Sequence, residues 1–316
     1  MSTGRFAPSP TATLHLGNLR TALVAWAAAR SVGSDFLVRI EDMDTVACRR
    51  EHEVSALADL AALGLDHDGE VVRQSERGEL YAAAIDRLVA EDRTYPCYCT
   101  RREVLAEAES AVAAPHGRAP GAYAGTCSTL DSRARAEREA EGRRPSLRLR
   151  AEGAIVSFVD RVAGERSGQV DDFIVRRADG TPAYNLAVVV DDAAQGVQEV
   201  VRGDDLLDTT PRQILLARVL ALEVPAYVHV PLVLGPDGER LAKRHGSVTL
   251  ADQLAVGRSV DDVRSMLVAS LGLAAVGEPV TMDDLVDGFD IDRLTRAPWR
   301  MSPSDVDGGS GLRSSS

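Results

Sequence analysis

The sequence predicts an α/β fold built on a mainly parallel sheet, on three observations. Short apolar, β-branched runs alternate with stretches of helical period. Each run is closed by polar, Gly or Pro residues. The first helical pattern follows directly on a loop holding Pro8, Pro10, His15 and Gly17, and in such folds ligands bind outside the carboxyl ends of the strands, in loops of this kind. With 316 residues, 45% of them hydrophobic, the chain can bury one large core with a satellite, or two modest cores.

Along the chain, "GRFAPSPTATLHLGNLRTAL" (Gly4 to Leu23) leads into a helix expected over Asn18 to Ser31, with Leu19, Leu23, Trp26 and Ala27 on one face. Three runs are expected as strands: "FLVRIED" (Phe36 to Asp42), "AYNLAVVVDD" (Ala183 to Asp192) and "YVHVPLVLG" (Tyr227 to Gly235). Thr210-Pro211 opens a further helix, proline being favoured in a first turn. Residues 97–168 differ in composition, with a cysteine cluster, a loop rich in Ala, Gly and Pro, and a charged helix. They are expected as an insertion between two halves of the core, residues 1–96 and 169–250. Amphipathic stretches at Val260 to Leu271 and Met282 to Phe289 predict a short helical region over 251–300. A flexible tail is expected over 301–316, where apolar content is too low to fold. No internal repeat is present, and the Asp-rich C-terminal stretch has no role legible in the sequence.

A net charge of −12 repels phosphate-rich partners on average and argues against a protein that coats nucleic acid indiscriminately. A local basic face remains compatible with "RARAEREAEGRRPSLRLR" (Arg133 to Arg150), although a solvated, salt-bridged helix followed by a strand is the plainer reading. No window is apolar enough for a membrane span, and the N-terminus lacks the hydrophobic core of a signal peptide, so a cytoplasmic location is expected. Cys97, Cys99 and Cys127 lie close together while Cys48 stands alone. In a cytoplasmic chain such a cluster points to metal before disulfides.

The opening loop suits a phosphate. Gly17 lets a ligand approach the backbone, and the helix behind it directs unpaired N–H groups and its positive dipole end there. His15 adds a donor, and the two prolines stiffen the approach. Taken alone, His15-x-Gly17 reads as an ordinary turn capped by Asn18. A second loop, "ERLAKRHGSVTL" (Glu239 to Leu250), carries Lys243, whose ammonium suits charge building on transferring phosphates.

Together these segments resemble a known family. "GRFAPSPTATLHLGN" is similar to the first signature of class I aminoacyl-tRNA synthetases in its glutamyl form, and "RLAKR" to the second, usually written KMSKS. "VRIEDMDT", "ADGTPAYNLAVVVDD" and "VVRGDDLL" match the glutamyl branch in the same order. Five motifs in one order over Gly4 to about Leu250 set the resemblance apart from chance. Two positions depart from the pattern: Asn18 stands where a second histidine is usual, and Ala242 where serine is common, which removes one hydroxyl.

The resemblance implies a Rossmann-like parallel sheet of the class I synthetase type, with an inserted zinc-containing subdomain and a short helical C-terminal region. It implies that Arg5, Phe6, Ala7, Pro8, Ser9, Glu41, Tyr184 and Arg202 form a pocket for L-glutamate. Within that pocket the arginines clamp carboxylates, Glu41 holds the ammonium and Tyr184 closes the site. His15, Gly17, Asn18 and Lys243 would bind ATP with its Mg2+, His15 and Lys243 serving the chemistry. The plain alternatives are a surface acid for Glu41 and a salt bridge to Asp204 or Asp205 for Arg202. Cys97-x-Cys99 followed by Tyr123-x3-Cys127 is similar to a structural zinc site with one tyrosine ligand, and His116 is the alternative to Tyr123 as fourth ligand. Three free thiols are the plain alternative.

Only 66 residues follow Leu250, fewer than an anticodon-reading domain needs. The chain is therefore expected to resemble the shortened paralogue family, the glutamyl-queuosine tRNA(Asp) synthetases. That family activates glutamate without tRNA and transfers it to queuosine at the wobble position of tRNA-Asp. A monomer with no membrane partner is expected. The other readings are a conventional glutamyl-tRNA synthetase lacking its anticodon-binding domain and charging tRNA-Glu, a nucleotidyltransferase without a glutamate pocket, and a zinc-dependent RNA-binding module without exchange activity.

Overall fold

The computed structural model describes residues 3–112, 123–239, 248–302 and 305, with the side chains of 108–112 outside that description. The main sheet takes β1 (Gly4–Phe6), β2 (Phe36–Ile40) and β3 (Val72–Arg73) from the first part of the chain. β4 (Thr94–Cys97), β5 (Ser146–Leu149) and, later, β8 (Ile174–Arg176) form a separate three-stranded sheet. β6 (Ile155–Asp160), β7 (Gly164–Gln169), β9 (Glu199–Gly203) and β10 (Ala226–Val230) complete the main sheet, in the order β3-β2-β1-β9-β10-β6-β7. Every neighbouring pair in it is parallel except β6 with β7. From β1 the order runs through β2 and β3 on one side and through β9 and β10 on the other. The gap between β1 and β9 is thus a topological switch point, and the crevice outside their carboxyl ends is where a ligand is expected.

Alternation along the central strands explains the two-sided core. Val201, Val228 and Val230 join one apolar cluster while Val200 and Tyr227 join the other, as a two-residue period requires. The first face is covered by α1 (Leu16–Arg30) and by residues from Val263 to Leu294, the second by α3 (Gly78–Ala90), α6 (Tyr184–Ala194) and α7 (Thr210–Val219), α2 (Arg50–Ala62) lying between in sequence. α1 is buried almost all round, which its run of small residues permits: a Cβ on Gly4 would sit 3.3 Å from Ala29 Cβ. Arg20, fully buried in α1, donates to Pro231 O at 2.6 Å and to Ser270 Oγ at 2.9 Å, tying the sheet to the C-terminal helices. None of the helices among the described residues is long and apolar enough to cross a membrane.

Two strand expectations are corrected. Residues 183–192 form the helix α6, not a strand. Leu186 through Asp192 are all buried there, because α6 is packed by α3, α7 and β8 on several sides. A helix buried all round loses its amphipathic period, and its apolar run then cannot be told from a core strand. The run at 227–235 is not one strand but two: β10 ends at Val230, Pro231 interrupts, and β11 (Val233–Leu234) pairs instead with β12 (Trp299–Arg300). Proline lacks the N–H that a central ladder needs.

The strand at Phe36, the helix at Thr210-Pro211 and the helices at 260–270 and 282–287 fall where expected, with α1 beginning two residues before Asn18. Met301, expected in a flexible tail, is instead buried in the first core with its N–H donating to Leu234 O at 2.9 Å, and 303, 304 and 306–316 lie outside the described residues. Within residues 97–168, β6 and β7 are hydrogen-bonded into the main sheet through β10. The charged stretch there forms α4 (Arg101–Val112) and α5 (Ser132–Ala140), the latter with no buried residue and an Arg133–Glu137 pair. The C-terminal aspartates acquire a role: Asp252, Asp262 and Asp284 each close a capping box with Thr249, Ser259 and Thr281 at the start of a short helix.

Candidate active site

A cleft of about 640 Å³ opens at the switch point, lined by the carboxyl ends of β1, β9 and β10 and by the start of α1. Arg5, Phe6, Ala7, Pro8, Ser9, Glu41, Tyr184 and Arg202 all line it, together with His15, Gly17 and Asn18. The fold thus gathers into one cavity every site residue that the sequence assigned to glutamate and, among the described residues, every one assigned to ATP. Lys243 and Ala242 lie outside the described residues. Val248, close behind them in sequence, accepts through its carbonyl from Leu16 N at 2.9 Å, at the first turn of α1.

The helix start is built around His15 and not, as the plain alternative had it, around Asn18 as cap. His15 Nδ1 accepts from Asn18 N at 3.3 Å, and Asn18 Oδ1 accepts from His15 N at 3.1 Å, a reciprocal box. With Nδ1 as acceptor, the proton of a neutral imidazole sits on Nε2, free to donate to a ligand oxygen. Burial keeps the imidazole neutral by lowering its pKa, against the opposing pull of Asp205. Gly17 is required by this ring: an added Cβ would lie 2.9 Å from His15 Cε1 and Nδ1. Gly17→Ala is therefore expected to push the ring out of the cap. The loss of the cap, about 1 kcal/mol, is offset by a similar gain in helix propensity. The melting temperature should hold while adenylate formation falls about tenfold or more, as for a lost donor to developing charge. Pyrophosphate exchange and thermal unfolding on the same sample check this, and unchanged exchange removes the ring from the chemistry.

The floor of the cleft is charged. Arg5 Nε donates to Asp192 Oδ1 at 3.2 Å and Nη1 to Val201 O at 3.0 Å. Arg39, fully buried and not picked out in the sequence, reaches Asp192 at 2.7 Å and Glu41 at 3.4 Å. Burial disfavours its charged form, but Asp192, Glu41 and Asp191 outweigh it and raise its pKa. Asp191 in turn accepts from Gln74, Arg77 and Tyr81 at 2.7, 2.6 and 2.7 Å. Glu41 is buried, so it is not a surface acid; burial pushes its carboxyl up, with Arg39 and Arg5 opposing. A ligand ammonium would relieve that penalty. Tyr184, the first residue of α6, stays half exposed at the rim.

Arg202 does not pair with Asp204 or Asp205. Its Nε donates to His229 Nε2 at 3.0 Å, Nη1 to Gln213 Oε1 at 2.7 Å and Nη2 to Thr210 Oγ1 at 2.8 Å, while its guanidinium carbon lies 5.2 Å from the centre of the Tyr227 ring. It is 6% exposed, and no carboxylate among the described residues lies within ion-pair distance of it. Burial lowers its pKa, the expected effect on a cation held by neutral partners. Such a group is poised to receive an anion. The signals that sequence reading passed over were charged residues inside apolar strands, Arg39 in "LVRIED" and His229 in "YVHVP", and the paired acids closing "VVVDD".

The cysteine cluster is a separate centre, and none of its members lines the cleft. The sulfurs of Cys97, Cys99 and Cys127 lie within 4.8 Å of one another. Tyr123 Oη is 3.4 Å from Cys97 Sγ and 3.8 Å from Cys99 Sγ, and the Cys99 and Cys127 sulfurs are 3.5 Å apart. Zinc–ligand bonds of about 2.0–2.3 Å in a tetrahedron give edges of about 3.3–3.8 Å, so these donors fit a four-coordinate metal. Three buried or half-buried thiols supply soft donors and one buried phenol a harder oxygen, together a four-donor set. His116 lies outside the described residues.

A helix N-terminus with a histidine donor, facing buried guanidinium and carboxylate groups across the switch point of a parallel sheet, defines the catalytic core of a class I aminoacyl-tRNA synthetase. The chain belongs to the family of class I tRNA synthetases (E and Q), whose catalytic domain matches residues 2–306. It is 57% identical over 296 residues to a protein of Nocardia farcinica named glutamyl-Q tRNA(Asp) synthetase, covering 94% of this chain and 92% of that one. A protein of the same name from Symbiobacterium thermophilum is 50% identical over 314 residues, covering 95% of this chain and 96% of that one. Among solved structures, a glutamate tRNA ligase from Elizabethkingia meningosepticum in complex with its amino acid matches with a TM-score of 0.81 at 26% identity, over 96% of this chain and 68% of that one.

Proposed function

We propose that this chain activates L-glutamate with ATP, in the absence of tRNA, and transfers the glutamyl group to queuosine at the wobble position of tRNA-Asp. The observation that carries the amino-acid assignment is Arg202, a buried guanidinium with no anionic partner among the described residues, in the cleft that also holds the α1 N-terminus. Glutamate brings two carboxylates, and only one reacts. The reacting α-carboxylate must stay nucleophilic, so the uncompensated cation suits the γ-carboxylate, with Arg5 nearby and Glu41 facing the ammonium.

An oxygen of the α-carboxylate attacks the α-phosphorus of ATP, and the bond to pyrophosphate breaks. Negative charge then spreads over oxygens facing the start of α1, the Nε2–H of His15 and, from the second signature, Lys243. Positioning and fixed dipoles supply the catalysis, with no covalent enzyme intermediate. Mg2+ enters with ATP as part of the substrate. Cys97, Cys99, Cys127 and Tyr123 would hold one structural zinc, which rigidifies the segment around β4 and takes no part in the reaction.

The acceptor rests on the name that the two relatives at 57% and 50% identity carry. The reason for the requirement is chemical, because unmodified guanosine lacks the cyclopentenediol hydroxyl that attacks the adenylate. Labelled glutamate is expected on tRNA-Asp that contains queuosine, and not on the same tRNA with guanosine or on tRNA-Glu. Exchange of pyrophosphate into ATP should require glutamate and proceed without tRNA. Label at the 3′ end of tRNA-Glu, or exchange that needs tRNA, would point to a conventional glutamyl-tRNA synthetase and defeat the proposal.

A further inference from the structure

The orientation of Arg202 depends on a chain of buried groups that ends at Asp160. Arg202 Nε–H donates to His229 Nε2 at 3.0 Å, so that nitrogen must carry a lone pair. A neutral imidazole has one acceptor nitrogen, and its other nitrogen then bears the proton. Asp160 Oδ2 lies 2.6 Å from His229 Nδ1, where it accepts that proton's hydrogen bond. Its Oδ1 accepts from Val162 N at 3.0 Å and Ala163 N at 2.7 Å, and His229 N lies 3.1 Å from Oδ2. Among the described residues only donors converge on Asp160, which is the environment of an ionised carboxylate. Burial would raise its pKa, but His229 and the backbone amides hold it below the ordinary value. Burial is also the largest influence on His229, lowering its pKa; Arg202 adds to this while Asp160 and Asp204 oppose it. Asp160 and His229 are each 1% exposed.

We propose that Asp160 and His229 are positioning residues for the amino acid: Asp160 locks the His229 tautomer whose Nε2 accepts from Arg202, and this fixes the guanidinium that receives the γ-carboxylate. The inference rests on the pocket reading given above. A carboxylate in place of His229 would hold Arg202 equally well but would neutralise it and compete with the ligand. A neutral acceptor orients the guanidinium and leaves its charge for the substrate. Thr210 and Gln213, also neutral and fully buried, act in the same sense. Residues 160, 202 and 229 meet because β6, β10 and β9 are adjacent in the sheet.

The test is glutamate-dependent pyrophosphate exchange at saturating ATP, with histidine-selective ¹⁵N NMR on the same proteins. In Asp160→Asn the amide oxygen can still accept from the backbone, while its NH2 donates to Nδ1 and moves the histidine proton to Nε2, against the Arg202 N–H. The analogous exchange in serine proteases gives the wrong tautomer with the geometry intact. The glutamate KM should rise about 10- to 100-fold, as for a lost hydrogen bond to a charged group, with kcat at saturating glutamate and the ATP KM changing little. His229→Leu should behave likewise, whereas His229→Gln, whose amide oxygen can replace Nε2, should recover most of the affinity. The NMR should show Nδ1–H at His229 in the native protein and Nε2–H in Asp160→Asn.

An inverted tautomer with an unchanged glutamate KM, a native Nε2–H form, or a leucine variant as good as the glutamine one would overturn the inference. Arg202→Leu separates the two levels. If it leaves the glutamate KM unchanged, the pocket reading itself fails. If it raises KM while the Asp160 and His229 variants are silent, only the positioning role fails.

Discussion

Asp192→Asn is expected to lower stability by about 3–5 kcal/mol, the usual cost of removing one partner from a buried ion pair. Asp192 lies between two buried guanidinium groups, 3.2 Å from Arg5 and 2.7 Å from Arg39. Without its charge both cations face a low-dielectric interior, and Arg39 keeps a neutral acceptor, Gln195 Oε1 at 2.9 Å, and among carboxylates only the longer contacts to Glu41 at 3.4 Å and Asp191 at 3.8 Å. Glu41 would then be drawn toward Arg39 and away from a ligand ammonium, so glutamate affinity should fall with stability. Thermal and urea unfolding measure the first effect and the glutamate KM the second. A loss below about 1 kcal/mol, the range of an exposed ion pair, would mean that water screens this network.

The acid limb of the stability curve carries the same information. Burial works to raise the Asp192 carboxyl, yet Arg39 and Arg5 together hold it below its ordinary value. A carboxylate depressed in the folded state contributes stability that is present above its unfolded pKa, about 3.9, and is lost as pH falls through the folded value. The native protein should therefore lose this contribution below about pH 4, and Asp192→Asn should show a flatter curve there. Adding Arg39→Met to Asp192→Asn should recover part of the loss, because the double variant removes a cation that the single one strands.

On the proposed metal site the protein is expected to carry one zinc per chain, and Cys127→Ser is expected to abolish its binding. A hydroxyl is a far weaker ligand than a thiolate, and structural zinc sites supply about 10–16 kcal/mol of apparent binding free energy that is also folding free energy. The cost should fall first on the segment around β4 and β5, because Tyr95, Tyr98, Tyr123 and the cysteines form their own small cluster apart from the two main cores. Hydrogen exchange would show that segment opening while β1, β9 and β10 stay protected. Tyr123→Phe should weaken zinc binding and His116→Ala should not, since Tyr123 Oη already lies among the sulfurs. Native protein prepared without chelators and free of zinc would overturn the metal assignment, and zinc lost in His116→Ala but not in Tyr123→Phe would exchange the fourth ligand.

The sequence by itself determined those features that rest on local chemistry or on a motif read in order. The proline-stiffened loop before α1, the helix opened at Thr210-Pro211 and the strand at Phe36 could be read because caps, prolines and β-branched runs act over a few residues. The cleft residues were named because they stand in five ordered motifs, not because anything local set Glu41 or Arg202 apart from surface charges. Tertiary structure alone decided three matters. α6 became a helix because burial on several sides erased the period that distinguishes helix from strand. His15 became the cap because its ring and the Asn18 amide close a box that residue types alone do not specify. Above all, the electrostatic roles emerged only when the sheet brought distant strands together. Arg5, Arg39 and Asp192 share one charge network across 187 positions of sequence, and Arg202 is oriented by neutral groups through His229 and Asp160. A charge in a sequence carries no record of its partner, because the Coulomb and desolvation energies that decide between ion pair and receptor depend on distances and burial that exist only in the fold.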